Sequence, residues 1–599
     1  MYLRNILIQN FRSCDSTTVD FKTDLTVLVG ENNAGKSNII DAIRLLFMPL
    51  NERKERYCED EDISFNSGKN SFKISSTISG LSGVQRGLFI TAQKSSDSSD
   101  IQIGLTYEGP DKDKNILRGR STYWSGGQET PNPEPDINKY IRYVYLPPLR
   151  DAQNALNYSQ GKKIKYIADF ICNDETKNEF VQKAQENLNE LNDHPLVKSI
   201  STKVTEKLSD LSQGVIPQET KLEFLTADLL SITRNLKFKL ANKGLDLAEI
   251  QHSGLGYANL LYIATILVEL DSSKETDLTL FLVEEPEAHL HPQLQMVLLE
   301  LLKEYSQSSA KDMVNSDKPE GKIQVIVTTH SPNLTASVSI EEIVVVKLSK
   351  NKTITIPIWM LNIDPKELNK INRYLTVTRA SLLFSNRVML VEGLAEAILI
   401  PTFARNIVYK KVLGVSELDE LKRKRSLSRF MGSTFIAIDG VDFNPYLNLL
   451  KTEYKGTTIA DLVVVLTDDD IKYGETSALP TRISEAQAIV GIENVKVSKH
   501  TLEAELFRAN NEIFLKSVFL SIHSRSEDKW AEKIESLGTN IDNKSSEFVY
   551  LIDDKKGELA QKICDKIEEG DSFFVPDHII DAIQLLAKYD EVSVSSNAN

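Results

Sequence analysis

The chain has 599 residues, 41% of them hydrophobic and 26% charged, too long for one core and ordinary for two or three soluble domains. Its 85 acidic and 70 basic residues leave a net charge of −15, so any nucleic-acid partner must be met by local positive surface, not by the whole chain. No apolar run approaches the roughly 18 residues of a membrane span, and four scattered cysteines without a Cys-x-x-Cys pair exclude a zinc ribbon.

The start, Met1-Tyr-Leu-Arg-Asn-Ile6, lacks the basic, apolar and small-residue segments of a signal peptide. With the cysteine pattern it predicts a reducing, cytoplasmic location. Ile6 to Ser13 is strand-like, and Leu25-Thr-Val-Leu-Val29 closed by Gly30 reads as a buried strand. The next stretch, Gly30-Glu-Asn-Asn-Ala-Gly-Lys-Ser37, fits G-x-x-x-x-G-K-[ST]. Its glycines let backbone N–H groups point at phosphate, Lys36 neutralises the β/γ oxygens and Ser37 can ligate magnesium. Asn33, Gly35, Lys36 and Ser37 are therefore nucleotide-binding candidates. Ile39, Ile43, Leu46 and Phe47 predict the following helix, stopped by Pro49.

The segment from Asn157 to Leu230 is polar and rich in Lys, Glu, Asn and Gln, and reads as an inserted helical module. Gln251-His-Ser-Gly-Leu-Gly-Tyr257 leads into an apolar helix from Leu260 to Leu270, and Ser253-Gly254 at its start suits an anion. Thr279-Leu-Phe-Leu-Val283 is a second buried strand, ending on Glu284-Glu285. Such carboxylates beside phosphates hold magnesium through water (Glu284) and polarise an attacking water (Glu285). A third strand, Val325-Ile-Val-Thr-Thr-His330, ends on a histidine placed to sense the γ-phosphate.

These residues, with Asn10-Phe-Arg-Ser13, resemble an ABC-type ATPase of the RecF/SMC group. The resemblance implies that Arg12 belongs to the nucleotide site. It also implies that the Ser-Gly segment of one subunit caps the γ-phosphate held by another, hence a homodimer or higher homo-oligomer. This chain departs from the pattern at Glu284, where most members carry Asp; both are carboxylates.

Ile340 to Pro357 is rich in β-branched residues, and Leu361 to Arg379 is helical and connective. Three further strands then end on acids: Arg387-Val-Met-Leu-Val391 on Glu392, Thr434-Phe-Ile-Ala-Ile438 on Asp439, and Leu462-Val-Val-Val-Leu466 on Thr467-Asp-Asp-Asp470. Strands separated by helical segments predict a parallel α/β sheet with converging carboxylates, which suit Mg²⁺ or Mn²⁺. Glu396, one helical turn after Glu392, shares its face, while Asp469, between Asp468 and Asp470, is expected to be solvated. Asp439 reads equally as a turn residue. Leu421-Lys-Arg-Lys-Arg425 with Arg429 is the strongest basic cluster, a solvated face or a phosphate contact.

Glu392 with Asp468 and Asp470 resembles a Toprim domain, and its fusion to the ATPase resembles the OLD (overcoming lysogenization defect) nuclease family. The resemblance covers residues 1 to 565 and is carried further by Tyr145-Leu-Pro-Pro-Leu-Arg-Asp151, Val-Glu-Gly-x-x-Glu, Thr-Leu-Glu and Lys-Gly-x-x-Ala. It implies a two-metal nuclease. Asp468, Asp470 and Glu392 would hold one metal, Glu396 and either Glu503 or Glu505 would support the second, and Lys556 would neutralise developing charge or protonate the leaving group.

The expected fold class is α/β. An ATPase domain spans 1–156 and 233–360 around a helical dimerisation insert at 157–232. A connector at 361–382 leads to a Rossmann-like Toprim domain at 383–565, and 566–599 forms a C-terminal helix and tail. The expected cofactors are ATP and Mg²⁺ or Mn²⁺, the substrate DNA, and the role antiphage defence. A helicase of the Gabija type or a retron reverse transcriptase with its DNA is the implied partner. The alternative is a DNA-sensing or clamping ATPase whose Toprim domain only binds nucleic acid, or cuts only with a partner.

Overall fold

The computed structural model describes residues 1–52, 54–65, 67–95, 99–111, 117–131, 137–148, 164–165, 167–169, 171–211, 220–236, 238–240, 248–249, 255–271, 276–288, 290–312, 321–375, 380–411, 416–473 and 475–588. Two compact units divide it: residues 1–27 with 35–329, and residues 28–34 with the chain from His330 on. Among the described residues no helix is long and apolar enough to cross a membrane.

The first unit runs β1 (Tyr2–Phe11), β2 (Cys14–Asp20), β3 (Leu25–Val29), α1 (Lys36–Leu46), β4 (Ser71–Ser79), β5 (Ile101–Glu108), β6 (Arg120–Ser125) and β7 (Ile141–Leu146). Helices α2 (Asp174–Asn192), α3 (Pro195–Leu211) and α4 (Leu255–Asp271) follow, then β8 (Leu278–Glu284), α5 (Pro292–Asp312) and β9 (Lys322–Thr329). Strands β2, β1, β4, β5 and β6 pair in that order as an antiparallel sheet. β8 pairs in parallel with β9 on one side and β7 on the other, Phe281 lying opposite both Val325 and Val144. All seven residues of β8 and all eight of β9 are buried, because a parallel sheet is covered on both faces and reads as a continuous apolar run.

The predicted insert contains α2 and α3 in immediate succession, and neither helix buries a side chain. Asn173 caps α2 by accepting the Thr176 N–H at 2.9 Å.

The second unit opens with a hairpin of β10 (Ile343–Ser349) and β11 (Lys352–Pro357). Its turn residues Lys350 and Asn351 have φ of +48° and +61°, the left-handed pair that matches strand twist in a two-residue turn. After α6 (Pro365–Tyr374) come β12 (Arg387–Val391), α7 (Leu394–Phe403), α8 (Glu417–Met431), β13 (Thr434–Ala437), α9 (Asn444–Lys451), β14 (Leu462–Asp468), α10 (Thr481–Val490) and β15 (Val495–Ser498). Helices α11 (Leu502–Arg508), α12 (Glu512–Ile522), α13 (Ile541–Ile552), α14 (Lys556–Glu569) and α15 (Asp577–Ala587) complete it.

The sheet order is β13-β12-β14-β15, parallel throughout. From β12 the chain crosses to one side and from β14 to the other, which leaves a crevice at the carboxyl ends of these two adjacent strands. The core beneath joins Met389, Val391, Phe403, Phe507, Trp530, Phe548, Ile563 and Ile583. Phe507 and Phe548 stand 5.1 Å apart, and each such buried ring stabilises the fold by about 1.5–3 kcal/mol. Helix α14 runs through the boundary expected at 565, and α15 packs into the same core.

Candidate functional site

The phosphate-loop sequence forms a turn that its residue types dictate. Asn33 has φ +66° and Gly35 φ +101°, and Gly35 caps α1 in the left-handed region that glycine enters freely. Gly30 is needed for a different reason. A Cβ there would lie 2.0 Å from the carbonyl oxygen of Val346, so the loop leans on the β10–β11 hairpin, to which Ala34 O is also tied by Thr353 Oγ1 at 3.0 Å. Lys36 is buried and Ser37 exposed at the start of α1.

Glu284 ends β8, is 6% exposed, and accepts a hydrogen bond from the Tyr145 hydroxyl at 2.7 Å. Glu285 turns at φ +43° and donates its N–H to Thr328 O at 3.0 Å. His330 follows β9 directly and is exposed. Arg12 lies against α1, bonded to Asn38 at 3.0 Å and Asp41 at 3.0 Å, and to Asp62 at 3.1 Å. Ser253 and Gly254 lie outside the described residues.

In the second unit the crevice gathers acids. Glu392 follows β12, and its Oε1 accepts the Asp468 N–H at 2.9 Å and the Thr467 hydroxyl. Leu502 N–H, at the start of α11, donates to Asp468 Oδ2 at 3.2 Å. Glu396 is buried in the first turn of α7 and accepts the Gly393 N–H at 3.1 Å. Burial pushes the Asp468 carboxyl well above the ordinary carboxylate range, and the charges of Glu392, Glu396 and Glu503 push it further. Glu396 is raised by burial too, with Glu503 and Glu392 adding. Lys556 Nζ stands 3.6 Å from Glu503 Oε2.

The structure therefore brings together Glu392, Glu396, Asp468, Glu503 and Lys556. Two expected members are engaged by other side chains. Glu505 accepts from the Tyr473 hydroxyl. Asp470 is exposed, has φ +56° and pairs with Arg482 at 2.6 Å. Asp469, expected in solvent, is instead buried. Its Oδ1 accepts the N–H groups of Ile471 at 2.9 Å and His500 at 2.7 Å, pinning two loops together. The strand ends at Asp468, so alternation no longer decides which way residue 469 points.

Arg482 was not legible in any motif. Its Nη2 donates to Asp468 O at 2.8 Å and Asp470 Oδ2 at 2.6 Å, and lies 3.9 Å from Glu392 Oε1. A basic residue in the first turn of the helix after an acid run was the available signal. Asp439 has φ +53°, and its neighbour Gly440 donates to Glu392 O at 3.2 Å. In the basic run, Arg423 makes two 2.7 Å bonds to Glu420 on its own helix.

Among the described residues, no group of three or more His, Cys, Asp or Glu side chains stands ready at cation-holding distance. The four carboxylates are neighbours by charge, not a formed cage. Their chemistry nonetheless fits a hard divalent cation: all donors are oxygens, and the repulsion that raises Asp468 and Glu396 is what such a cation relieves.

Comparison with known proteins supplies the class. Residues 25–336 match the family described as "AAA domain, putative AbiEii toxin, Type IV TA system", and residues 383–470 the "Overcoming lysogenization defect protein-like, TOPRIM domain". The chain is 27% identical over 557 residues to the Old nuclease of Escherichia phage P2, covering 83% of this chain and 87% of that one. It is 23% identical over 482 residues to endonuclease GajA of Bacillus cereus (strain HuB5-5), covering 74% and 63%. Among solved structures, an Smc head bound to the C-winged helix domain of ScpA matches at 18% identity and TM-score 0.37, covering 59% of this chain and 98% of that one. The C-terminal region of the Burkholderia pseudomallei OLD protein matches at 23% identity and TM-score 0.25, covering 34% and 98%.

An ATPase half and a TOPRIM half on one chain define a nuclease with an ATPase domain. The chain belongs to the AAA-domain family that matches residues 25–336, and it carries a TOPRIM domain of the OLD kind at residues 383–470.

Proposed function

We propose that this protein is an ATP-binding, divalent-metal-dependent DNA endonuclease that nicks or cuts duplex DNA under nucleotide control. The observation that carries the reading is the cluster of Glu392, Glu396, Asp468 and Glu503 at the crevice of a parallel sheet, with Lys556 beside it. Clustered carboxylates repel an anionic backbone, so they favour DNA only through a cation.

Glu392, Asp468, Glu396 and Glu503 would hold the metal. When bound, Mg²⁺ or Mn²⁺ supplies charge stabilisation to the attacking and leaving oxygens of a phosphodiester displacement. Glu392 is kept in place by the main chain of Asp468, and Asp468 by the N-terminus of α11. Lys556, paired with Glu503 at 3.6 Å, would neutralise charge on the leaving oxygen or protonate it. Arg482 pairs with Asp470 at 2.6 Å and lies 3.9 Å from Glu392, and Asp470 would join the donor set on release from that pair.

In the ATPase half, Asn33, Gly35 and Lys36 hold phosphate, Ser37 and Glu284 take the nucleotide's magnesium, and Glu285 orients the attacking water. Arg12, Ser253, Gly254 and His330 complete the site across a homodimer or larger assembly. Antiphage defence is the role we extend to it from the family resemblance.

Covalently closed circular DNA tests this directly, since it has no ends. Nicking or linearisation with Mg²⁺ or Mn²⁺ but not with chelator supports the reading. The rival reading is an ATPase whose TOPRIM domain grips nucleic acid and cuts only with a partner. DNA binding without cutting under any metal or nucleotide would establish that rival.

A further inference from the structure

Strands β7 and β8 pair in register with Tyr145 opposite Leu282. Paired residues share a face, and so do residues two apart on one strand, which puts Tyr145, Leu282 and Glu284 on the same face. The phenol reaches along that face and donates to Glu284 Oε2 at 2.7 Å. Glu284 is 6% exposed, so this bond is sheltered from exchange with solvent.

The ring is held in turn. Arg44 lies over it, its guanidinium carbon 3.8 Å from the ring centroid, a distance at which the cation is attracted to the ring face. Arg44 belongs to α1, seven residues after Ser37 and three after Asp41, and these spacings fall on one face of a helix. Asp41 fixes the guanidinium at 3.1 Å and also pairs with Arg12 at 3.0 Å. The helix that begins at the phosphate loop is thus linked to the β8 carboxylate through a single tyrosine.

We infer that Tyr145 is a positioning residue for the nucleotide site, holding the Glu284 carboxylate for the divalent cation of the bound nucleotide, with Arg44 holding the phenol. The inference rests on the magnesium role proposed for Glu284. A phenol suits the task because it donates one hydrogen bond without cancelling the carboxylate's charge. Anchoring Oε2 orients the group and leaves Oε1 to the cation. An arginine or lysine in its place would compete with the cation.

The test uses the full chain and a fluorescent ATP analogue titrated with Mg²⁺. Tyr145→Phe removes the hydroxyl and keeps the ring under Arg44. It is expected to raise the Mg²⁺ concentration for half-maximal response about tenfold, the size of one supporting hydrogen bond to a metal ligand. Affinity for the nucleotide without Mg²⁺ should stay within about twofold, since phosphate binding is left to other groups. Arg44→Lys keeps the charge but loses the planar stack; it should raise the Mg²⁺ requirement by a smaller factor, and it carries the test if Tyr145→Phe fails to fold. An unchanged Mg²⁺ requirement in a folded variant, beside normal wild-type binding, overturns the role of Tyr145. A wild-type chain that shows no Mg²⁺-dependent nucleotide binding overturns the nucleotide-site reading beneath it.

Discussion

The backbone N–H of Asp468 donates to Glu392 Oε1 at 2.9 Å, so one acid of the cluster is held by the main chain of another. The contact follows from topology. β12 and β14 are parallel neighbours with Val391 opposite Leu466, and the residues just past that pair must meet. Two carboxylates are thereby fixed side by side, and the charge of Glu392 adds to the cost of ionising Asp468.

That cost predicts an inverted pH response. Burial and neighbouring charge raise the pKa of Asp468 and Glu396, so the folded chain binds these protons more tightly than the unfolded chain. Below about pH 4 both states are protonated and nothing is lost. As pH rises above the unfolded value toward the raised folded one, folding is progressively penalised. In chelator, Asp468→Asn should therefore melt higher than the wild type, by a gap that widens from pH 4 to the raised folded value; Mg²⁺ should close it. Parallel melting curves for the two proteins would show that the charges do not interact.

Asp469 should matter for stability more than for chemistry. Its carboxylate accepts two backbone N–H groups, from Ile471 and His500. Asp469→Ala leaves both without that partner and should cost about 2–4 kcal/mol in denaturant unfolding. A loss below about 0.5 kcal/mol, the range of ordinary exposed substitutions, would return Asp469 to the solvated role its sequence position suggests.

The two glutamates of α11 should separate cleanly. Glu503 is buried beside Lys556, whereas Glu505 is engaged by Tyr473. Glu503→Gln is expected to lower DNA cleavage about a hundredfold and Glu505→Gln less than about threefold, the former removing a donor and the latter a neighbour. Equal losses in a plasmid assay would place both in the site.

The strands that could be read from the sequence are those that lead into the candidate residues. Leu25–Val29, Thr279–Val283, Arg387–Val391 and Leu462–Leu466 are continuous apolar runs, and all four are strands with the expected residue at their ends. β15 was missed because Val495–Ser498 is only four residues long and half polar. The antiparallel sheet of the first unit was not read beyond its opening strand, its later members being interspersed with serine and threonine. The placement of the second acid of the Asp-x-Asp was not legible, for a conformational reason. Pleat alternation places Asp468 and Asp470 together only if the strand continues, and it stops at Asp468 before a left-handed residue at Asp470. Arg482 and Tyr145 act through contacts from other elements, which no local pattern records.

The measurement that tests the central claim most directly is cleavage of supercoiled plasmid by the wild type and by Asp468→Asn, with Mg²⁺ or Mn²⁺, in the presence and absence of ATP. The account predicts nicked or linear product from the wild type and a loss of at least about a hundredfold in the variant, with ATP binding unchanged in both. Undiminished cutting by Asp468→Asn would contradict it, because the acid at the centre of the cluster would then have no part in the reaction.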